Sequence, residues 1–288
     1  MFLEHFHLSS DPFGVAPDPA FLYLGPDHRE ALAALYYVMV QRRGCGLMAA
    51  AAGMGKTLVL NSLRQRIGSS ADCAFLAGPM NGEELLDAVL MEFGISGTRP
   101  GAYWKLRALK HVLTEKAKNG RRAVLAIDDA DQLSADALET LQTLCGLETG
   151  EAKLLDLLLA GHPSLVRRLS APGLERLRQS IDVSCRIRPF DEAGTAEYLY
   201  HRVSQAGADR NLFSDEASAL LASATQGVPR RINQLAHQTL ALAWSRGEAG
   251  VEEDTVWDVI CDLPLPELLA ENRALAGTQE LLVARHVR

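Results

Sequence analysis

Hydrophobic and polar positions divide the chain into two parts. Before residue 190, short apolar runs alternate with stretches of helical spacing, and after it only helical spacing remains. The apolar runs, typical of buried parallel strands, predict strands at 46–49, 73–77, 123–127, 154–160 and 182–188. Helices are predicted at 26–43, 58–67, 82–93, 102–119 and 134–147, with two short ones within 164–180. This alternation predicts an α/β fold with a parallel sheet flanked by helices.

The rear part predicts a small helical domain. Helical spacing places its helices at 192–205, 214–225, 229–245 and 252–261, with glycines between them. We therefore divide the chain into an N-terminal arm and first helix (1–43), an α/β domain (44–190), a helical domain (191–263) and a C-terminal tail (264–288). Within the arm, three prolines and a glycine in 11–24 exclude a regular helix and predict an extended segment on the domain surface.

Residues 46–60, GLMAAAAGMGKTLVL, carry the chemistry around which the chain is organised. Gly55, Lys56 and Thr57 have the spacing of a phosphate-binding P-loop, with Ala50 where the first glycine usually stands. Backbone N–H groups and the positive end of a helix dipole suit a triphosphate, and Lys56 adds a mobile cation. A chance match in an alanine-rich turn is the alternative, but the strand before the loop and the helix after it favour ATP binding. The predicted nucleotide-binding residues are Ala50, Ala51, Ala52, Gly53, Met54, Gly55, Lys56, Thr57 and Leu58.

A pair of acids follows the predicted strand 123–127. Parallel α/β sheets place ligand chemistry at the carboxyl ends of their strands, where Asp128 would hold Mg²⁺ through water and the Thr57 hydroxyl would join the magnesium shell. Asp129 would polarise the attacking water. Acids here are also common helix N-caps, and Asp131 or Ser134 is expected to cap the helix that follows.

His162 follows the fourth predicted strand and is expected beside the acid pair if the sheet is parallel. Two interpretations remain open for it: sensing of the γ-phosphate, and a hydrogen bond to backbone. Its place at a strand end makes it a candidate catalytic residue.

Composition narrows the function classes. The net charge of −7 gives no overall basic field, which makes nucleic acid an unfavoured partner without excluding a local patch. The five cysteines show no paired spacing and predict reduced thiols in a cytoplasmic protein. The N-terminal residues lack the pattern of a signal peptide, and no run of 18 apolar residues predicts a membrane span.

These motifs together resemble the AAA+ superfamily, and more closely the general (type II) secretion pathway component A ATPases and the exosortase-associated ATPases. The resemblance covers about residues 5–262. It rests on the P-loop, the acid pair and five short motifs: Asp11-Pro12-Phe13, Pro17-Asp18-Pro19 with Phe21-Leu22-Tyr23, His28-Arg29-Glu30-Ala31-Leu32, Gly161-His162-Pro163, and Gly227-Val228-Pro229-Arg230-Arg231-Ile232-Asn233.

The resemblance implies that the helical domain is a lid, that ATP with Mg²⁺ binds between sheet and lid, and that Arg230 is the lid's sensor arginine. Without the other motifs, the residues around Arg230 favour a surface arginine at a helix start. The resemblance further implies a homo-oligomer, a ring or an open assembly, that couples ATP turnover to a protein partner in secretion or envelope assembly.

Three residues depart from the family pattern. Asp129 stands where glutamate is usual, His162 where glutamine is usual, and Ser180 where an arginine is usual. Arg176 is the nearest substitute for that arginine, because at 100° per residue it shares a helix face with Ser180 whereas Arg178 does not. ATP hydrolysis is the leading function that the resemblance implies. The three departures favour the first alternative, a nucleotide-gated switch of little turnover, and the acidic charge balance disfavours the second, a DNA-acting ATPase of the transposition-regulator kind.

Overall fold

A computed structural model describes residues 2–14, 21–150 and 153–262. The predicted tail at 264–288 lies outside the described residues. Contacts within the chain form two compact units, 24–189 and the combination of the N-terminal residues up to 23 with those from 190 onward. The predicted segment 1–43 is therefore divided between the two units. No helix in the described part of the chain is long and apolar enough to cross a membrane.

The α/β unit is built on a five-stranded parallel sheet, which confirms the predicted fold class. Its strands are β1 (Cys45–Ala49), β2 (Ala71–Ala77), β3 (Arg122–Asp128), β4 (Asp156–Gly161) and β5 (Ile181–Arg186). They lie in the order β2-β3-β4-β1-β5, so the P-loop strand β1 pairs with β4 and β5, and the acid-bearing strand β3 pairs with β2 and β4. Because all strands are parallel, their carboxyl ends meet at one edge.

All five strands differ from the predicted bounds by one or two residues at one or both ends, and two of these differences, at the starts of β2 and β4, have a physical reason. β2 begins at Ala71 and so includes Asp72, which an edge strand tolerates because its carboxylate pairs with Lys116 and Arg121. β4 begins only at Asp156, since Leu154 instead donates its N–H to the carbonyl of Leu147, next to an isolated antiparallel bridge between Glu148 and Lys153. An apolar side chain alone did not distinguish strand from buried turn at that point.

Helices cover both faces of the sheet, and the helical unit follows. The helices of the described residues are α1 (Phe2–His5), α2 (Pro26–Val40), α3 (Lys56–Ile67), α4 (Gly82–Glu92), α5 (Ala102–Lys118), α6 (Ala135–Cys145), α7 (Ser164–Arg168), α8 (Glu175–Ser180), α9 (Glu192–Gln205), α10 (Asp215–Thr225), α11 (Pro229–Ser245) and α12 (Glu253–Asp262). The predicted helices are all present, with ends that shift by a few residues.

Each unit has its own apolar core. In the α/β unit, one core cluster takes in the inward faces of β1, β3, β4, α4 and α6, including Leu47, Leu125 and Leu159. In the helical unit, residues of α9 to α12 pack with the N-terminal segment, from which Phe13 and Phe21 are almost completely buried. The segment predicted to lie on the surface thus contributes core side chains, with Phe13 edge-on to Phe213. Residues 15–20 of that segment lie outside the described residues.

Candidate nucleotide-binding site

The P-loop joins the end of β1 to the start of α3. Gly53 and Gly55 have positive φ angles of 77° and 88°, a conformation that side-chain-bearing residues rarely adopt. The N–H of Ala50 donates to the carbonyl of Gly161 across 3.0 Å, so the start of the loop is tied to the end of β4. Helix α3 begins at Lys56, two residues earlier than predicted, so the loop is short and the helix opens directly from it.

The first turn of α3 suits an anion. Its N-cap is Gly55, which has no side chain to accept a hydrogen bond from the helix's first N–H groups. Such N–H groups, with the helix dipole behind them, bind phosphate oxygens. Together with the two left-handed glycines, this geometry fits the polyphosphate part of a nucleotide.

Lys56 lies inside the loop rather than in solvent. Its Nζ is 3.4 Å from the carbonyl oxygen of Ala50 and 3.5 Å from that of Ala51, and the residue is 8% exposed. The same Nζ is 3.6 Å from Oδ1 of Asp129. The cation is therefore held between the backbone of the P-loop and the acid pair after β3.

Thr57 and Asp128 come together directly. The Thr57 hydroxyl donates to Oδ2 of Asp128, and Oδ1 of Asp128 accepts the N–H of Asp129 at 3.0 Å. A hydroxyl beside a buried carboxylate matches the few oxygen ligands that a protein supplies to Mg²⁺ when phosphates and water complete the shell. Residues 2–14, 21–150 and 153–262 contain no cluster of three or more His, Cys, Asp or Glu side chains suited to a metal ion. The pair accordingly fits Mg²⁺ that arrives with a nucleotide, not a metal held by protein alone.

Asp129 follows β3 directly and is the N-cap of the short 3-10 turn Ala130–Gln132, where it adopts a left-handed backbone conformation with φ of 50°. This conformation is uncommon for a residue with a side chain, although aspartate tolerates it better than most. Its carboxylate is partly exposed and directed at Lys56. Both acids therefore lie within reach of the P-loop.

The capping alternatives for the next helix are resolved. Ser134 is the N-cap of α6, because its Oγ accepts the N–H of Ala137 at 3.2 Å. Asp131 has a different role: its Oδ1 accepts the N–H of His162 at 2.7 Å. Arg168 supports the same turn by donating to the carbonyl oxygens of Asp131 and Leu133, both at 2.5 Å.

The His162 ring makes a local hydrogen bond. Its Nδ1 accepts the backbone N–H of Ser164 at 3.2 Å and lies 3.0 Å from the Ser164 hydroxyl. Because Nδ1 accepts from an N–H, the neutral ring carries its proton on Nε2. The backbone contact that was one of the two interpretations is present, and a role for Nε2 toward phosphate stays a prediction.

The remaining predicted site residues belong to helices that follow the P-loop and the acid pair in the sequence. Ser180 ends α8 and donates to the carbonyl of Leu177 at 2.6 Å, while Arg176 and Arg178 on the same short helix are exposed. Arg230 is the second residue of α11 in the helical unit and is exposed. Their roles in a neighbouring subunit or a lid stay predictions.

Sequence reasoning missed two residues that shape the site. His28 on α2 lies beneath the P-loop, with Nε2 at 2.8 Å from the carbonyl oxygen of Met54. Arg168 fixes the turn after the acid pair, as described above. His28 belongs to one of the motifs of the family resemblance, which was the available signal, whereas Arg168 stood only in an arginine-rich stretch.

Known proteins are similar to this chain in sequence and in fold. Residues 39–169 match the family described as AAA domain. Over 250 residues, 86% of this chain, it is 33% identical to general secretion pathway protein A of Aeromonas hydrophila, and it spans only 46% of that protein's length.

Solved structures share the fold. Cdc6p from Pyrobaculum aerophilum matches with a TM-score of 0.65 and 19% identity, over 88% of this chain and 76% of that one. The ADP form of the Aeropyrum pernix ORC2 protein matches with a TM-score of 0.61 and 13% identity, over 87% of this chain and 72% of that one. The RuvB Holliday junction branch migration motor of Thermotoga maritima matches with a TM-score of 0.52 and 14% identity, over 82% of this chain and 69% of that one. The chain therefore has the α/β P-loop fold of these structures, and its residues 39–169 are the part that matches the AAA domain.

Proposed function

We propose that this protein binds ATP with Mg²⁺ on the P-loop and hydrolyses it. Residues Ala50 to Leu58 hold the phosphates, with Lys56 on the β- and γ-phosphates. Thr57 and Asp128 hold the metal ion, which neutralises phosphate charge when bound. Asp129 orients the attacking water, and His162 and Arg230 respond to the γ-phosphate.

The observation that carries the proposal is the convergence of the P-loop with the acid pair. Thr57 hydrogen-bonds Asp128, and Lys56 lies 3.6 Å from Asp129, although the two pairs come from segments about 70 residues apart in the chain. A P-loop that served only as a turn would not require a buried lysine and a metal-type carboxylate at the same strand edge. Phosphoryl transfer needs that combination of cation, hydroxyl and carboxylates.

Binding is tested on Lys56. We expect Lys56→Ala to weaken ATP binding by about 1.5 to 3 kcal/mol, the size of a charge-assisted contact, which is roughly 10- to 150-fold in Kd. Titration calorimetry measures it, with Lys110→Ala as the control because that lysine is exposed on α5. Equal affinity in the Lys56 variant and the control would remove the P-loop from the proposal.

Hydrolysis is tested on Asp129. If its short side chain limits the reach to water, Asp129→Glu raises turnover and Asp129→Asn lowers it, while ATP affinity is unchanged. Phosphate release under saturating ATP measures this. Equal turnover in all three proteins would exclude Asp129 as the water-orienting group.

A nucleotide-gated switch is the second candidate function. The contact between Asp129 and Lys56 favours it, since a carboxylate engaged with the P-loop lysine is less available to a water molecule. Tight ATP binding together with negligible phosphate release in both the wild type and Asp129→Glu would establish the switch and reject turnover.

The cellular role we propose is work on a protein partner, as part of a homo-oligomer. Its support is the similarity to general secretion pathway protein A, a name that refers to secretion. The partner therefore belongs to a secretion or envelope system under this proposal, and the protein acts from the cytoplasm. Affinity purification with ATP and with ADP, followed by mass spectrometry, tests it: recovery of no envelope component in either state would contradict the assignment.

A further inference from the structure

His28 is the third residue of α2 and one of the few polar side chains buried in the α/β unit, with 1% exposure. Its Nε2 lies 2.8 Å from the carbonyl oxygen of Met54, which is buried in the middle of the P-loop. The helix that carries it is fixed at its start, because Asp27 accepts hydrogen bonds from the backbone N–H and the side chain of Arg188, each at 2.9 Å. An imidazole on a fixed helix thus touches the P-loop from within the core.

The direction of this hydrogen bond follows from its partners. A carbonyl oxygen only accepts, so Nε2 of His28 must carry the proton. Burial also lowers the pKa of His28, which keeps the ring neutral at neutral pH. The imidazole is therefore a fixed donor to the P-loop.

That bond sets the orientation of the peptide between Met54 and Gly55. A trans peptide is planar, and its C=O and N–H point in opposite directions. With the Met54 carbonyl turned inward to His28, the Gly55 N–H must point away from α2. A Cβ added to Gly55 would lie 3.0 Å from His28 Nε2, so glycine at this position also allows the imidazole to approach so closely.

We propose that His28 is a positioning residue for nucleotide binding, which holds the Met54 carbonyl through its Nε2–H so that the Gly55 N–H faces the bound phosphate. The proposal rests on the proposed function, because it assigns a role within the same site. In this role His28 touches no phosphate itself. It acts through the peptide plane of the loop.

The test compares three substitutions at His28 by calorimetry with MgADP, which needs no turnover. Glutamine places its amide nitrogen where Nε2 stands, asparagine places it where Nδ1 stands, and leucine keeps bulk without a donor. We expect His28→Gln to retain affinity within about twofold. His28→Asn and His28→Leu each lose about 5- to 10-fold, the value of one hydrogen bond.

Controls separate this role from general stability and from the proposed function. Urea unfolding without nucleotide is measured for all three variants. The inference requires that the MgADP affinity of a variant depends on whether its side chain places an N–H donor at the position of Nε2, and not on its free energy of unfolding. If all three variants bind MgADP equally, or if His28→Gln loses as much as His28→Leu, the positioning role is wrong. If Lys56→Ala also binds normally, the P-loop assignment itself fails, which is a distinct result.

Discussion

Gly227 offers the sharpest test of the packing in the helical unit. It has a φ of 67°, and a Cβ added to it would lie 1.8 Å from the carbonyl oxygen of Phe190. Its own carbonyl accepts the N–H of Phe190 at 3.0 Å, so two backbone segments touch without a side chain between them. Gly247 provides a matched control, because its φ is 68° and nothing lies within 4 Å of the added Cβ.

The expected magnitudes differ because only one glycine is crowded. Alanine at either site adopts a left-handed conformation at a cost of roughly 1–2 kcal/mol. At Gly227 the Cβ must also push the Phe190 backbone away. This breaks its hydrogen bond, worth about 0.5–1.5 kcal/mol, and disturbs the packing of Phe190 on Tyr198 and Tyr23. We therefore expect Gly227→Ala to lose about 4 kcal/mol of unfolding free energy and Gly247→Ala about 1–2 kcal/mol.

Tryptophan fluorescence during urea unfolding measures the effect. Trp244 and Trp257 both lie in the helical unit, and the protein's third tryptophan, Trp104, lies on α5 of the α/β unit. A Trp104→Phe background makes the remaining signal specific to the helical unit. Equal losses for Gly227→Ala and Gly247→Ala would refute the argument from close approach and leave only the backbone conformation.

Two further predictions concern subunit contacts and pH. ATPase activity per subunit should rise with protein concentration and fall more in Arg176→Ala than in Arg178→Ala, and assays across a dilution series check this; activity independent of dilution would contradict it. Burial raises the pKa of Asp156 from 3.8 to about 7. The positive charges of Arg122 and Arg42 act in the opposite direction, but their effect is smaller. The raised pKa favours folding below about pH 4, and this contribution is lost as pH rises to about 7. Asp156→Asn should therefore raise the unfolding free energy by on the order of 2–4 kcal/mol at pH 8 and much less at pH 5, and a pH-independent gain in urea unfolding would contradict this.

The sequence predicted those elements whose patterns are local. The short apolar run before the P-loop predicted a buried strand, and β1 is indeed buried along its whole length. The convergence of Thr57 with Asp128 was also predictable, because parallel strands bring their carboxyl ends to one edge. The bounds of a strand were less certain where a buried apolar residue could belong either to the strand or to the segment before it, as with Leu154 before β4.

Contacts between distant segments could not be predicted from the sequence. Phe13 and Phe21 lie in a segment whose prolines and glycine predict an extended arm on the surface. They nevertheless pack in the core of the helical unit, against residues about 200 positions later in the chain. His28 has the pattern of a polar first-turn residue on α2, and nothing local shows that its ring reaches Met54. Asp131 was one of two candidate capping residues, and its role as acceptor of the distant His162 N–H has no sequence signature.

The end of β4 is joined to both chemical centres of the site. The Gly161 carbonyl accepts the Ala50 N–H of the P-loop, and the next residue, His162, donates its N–H to Asp131 in the turn after the acid pair. Gly161 has little room for a side chain, since an added Cβ would lie 2.9 Å from Oδ1 of Asp131. A displacement of Asp129 by a bound nucleotide would therefore be transmitted to the β4 tip through one turn, Ala130–Gln132, and the hydrogen bond from the His162 N–H to Asp131. Because the His162 N–H is bound directly to the Asp131 carboxylate, two residues after Asp129, we expect the β4 tip and the acid pair to move together and not independently.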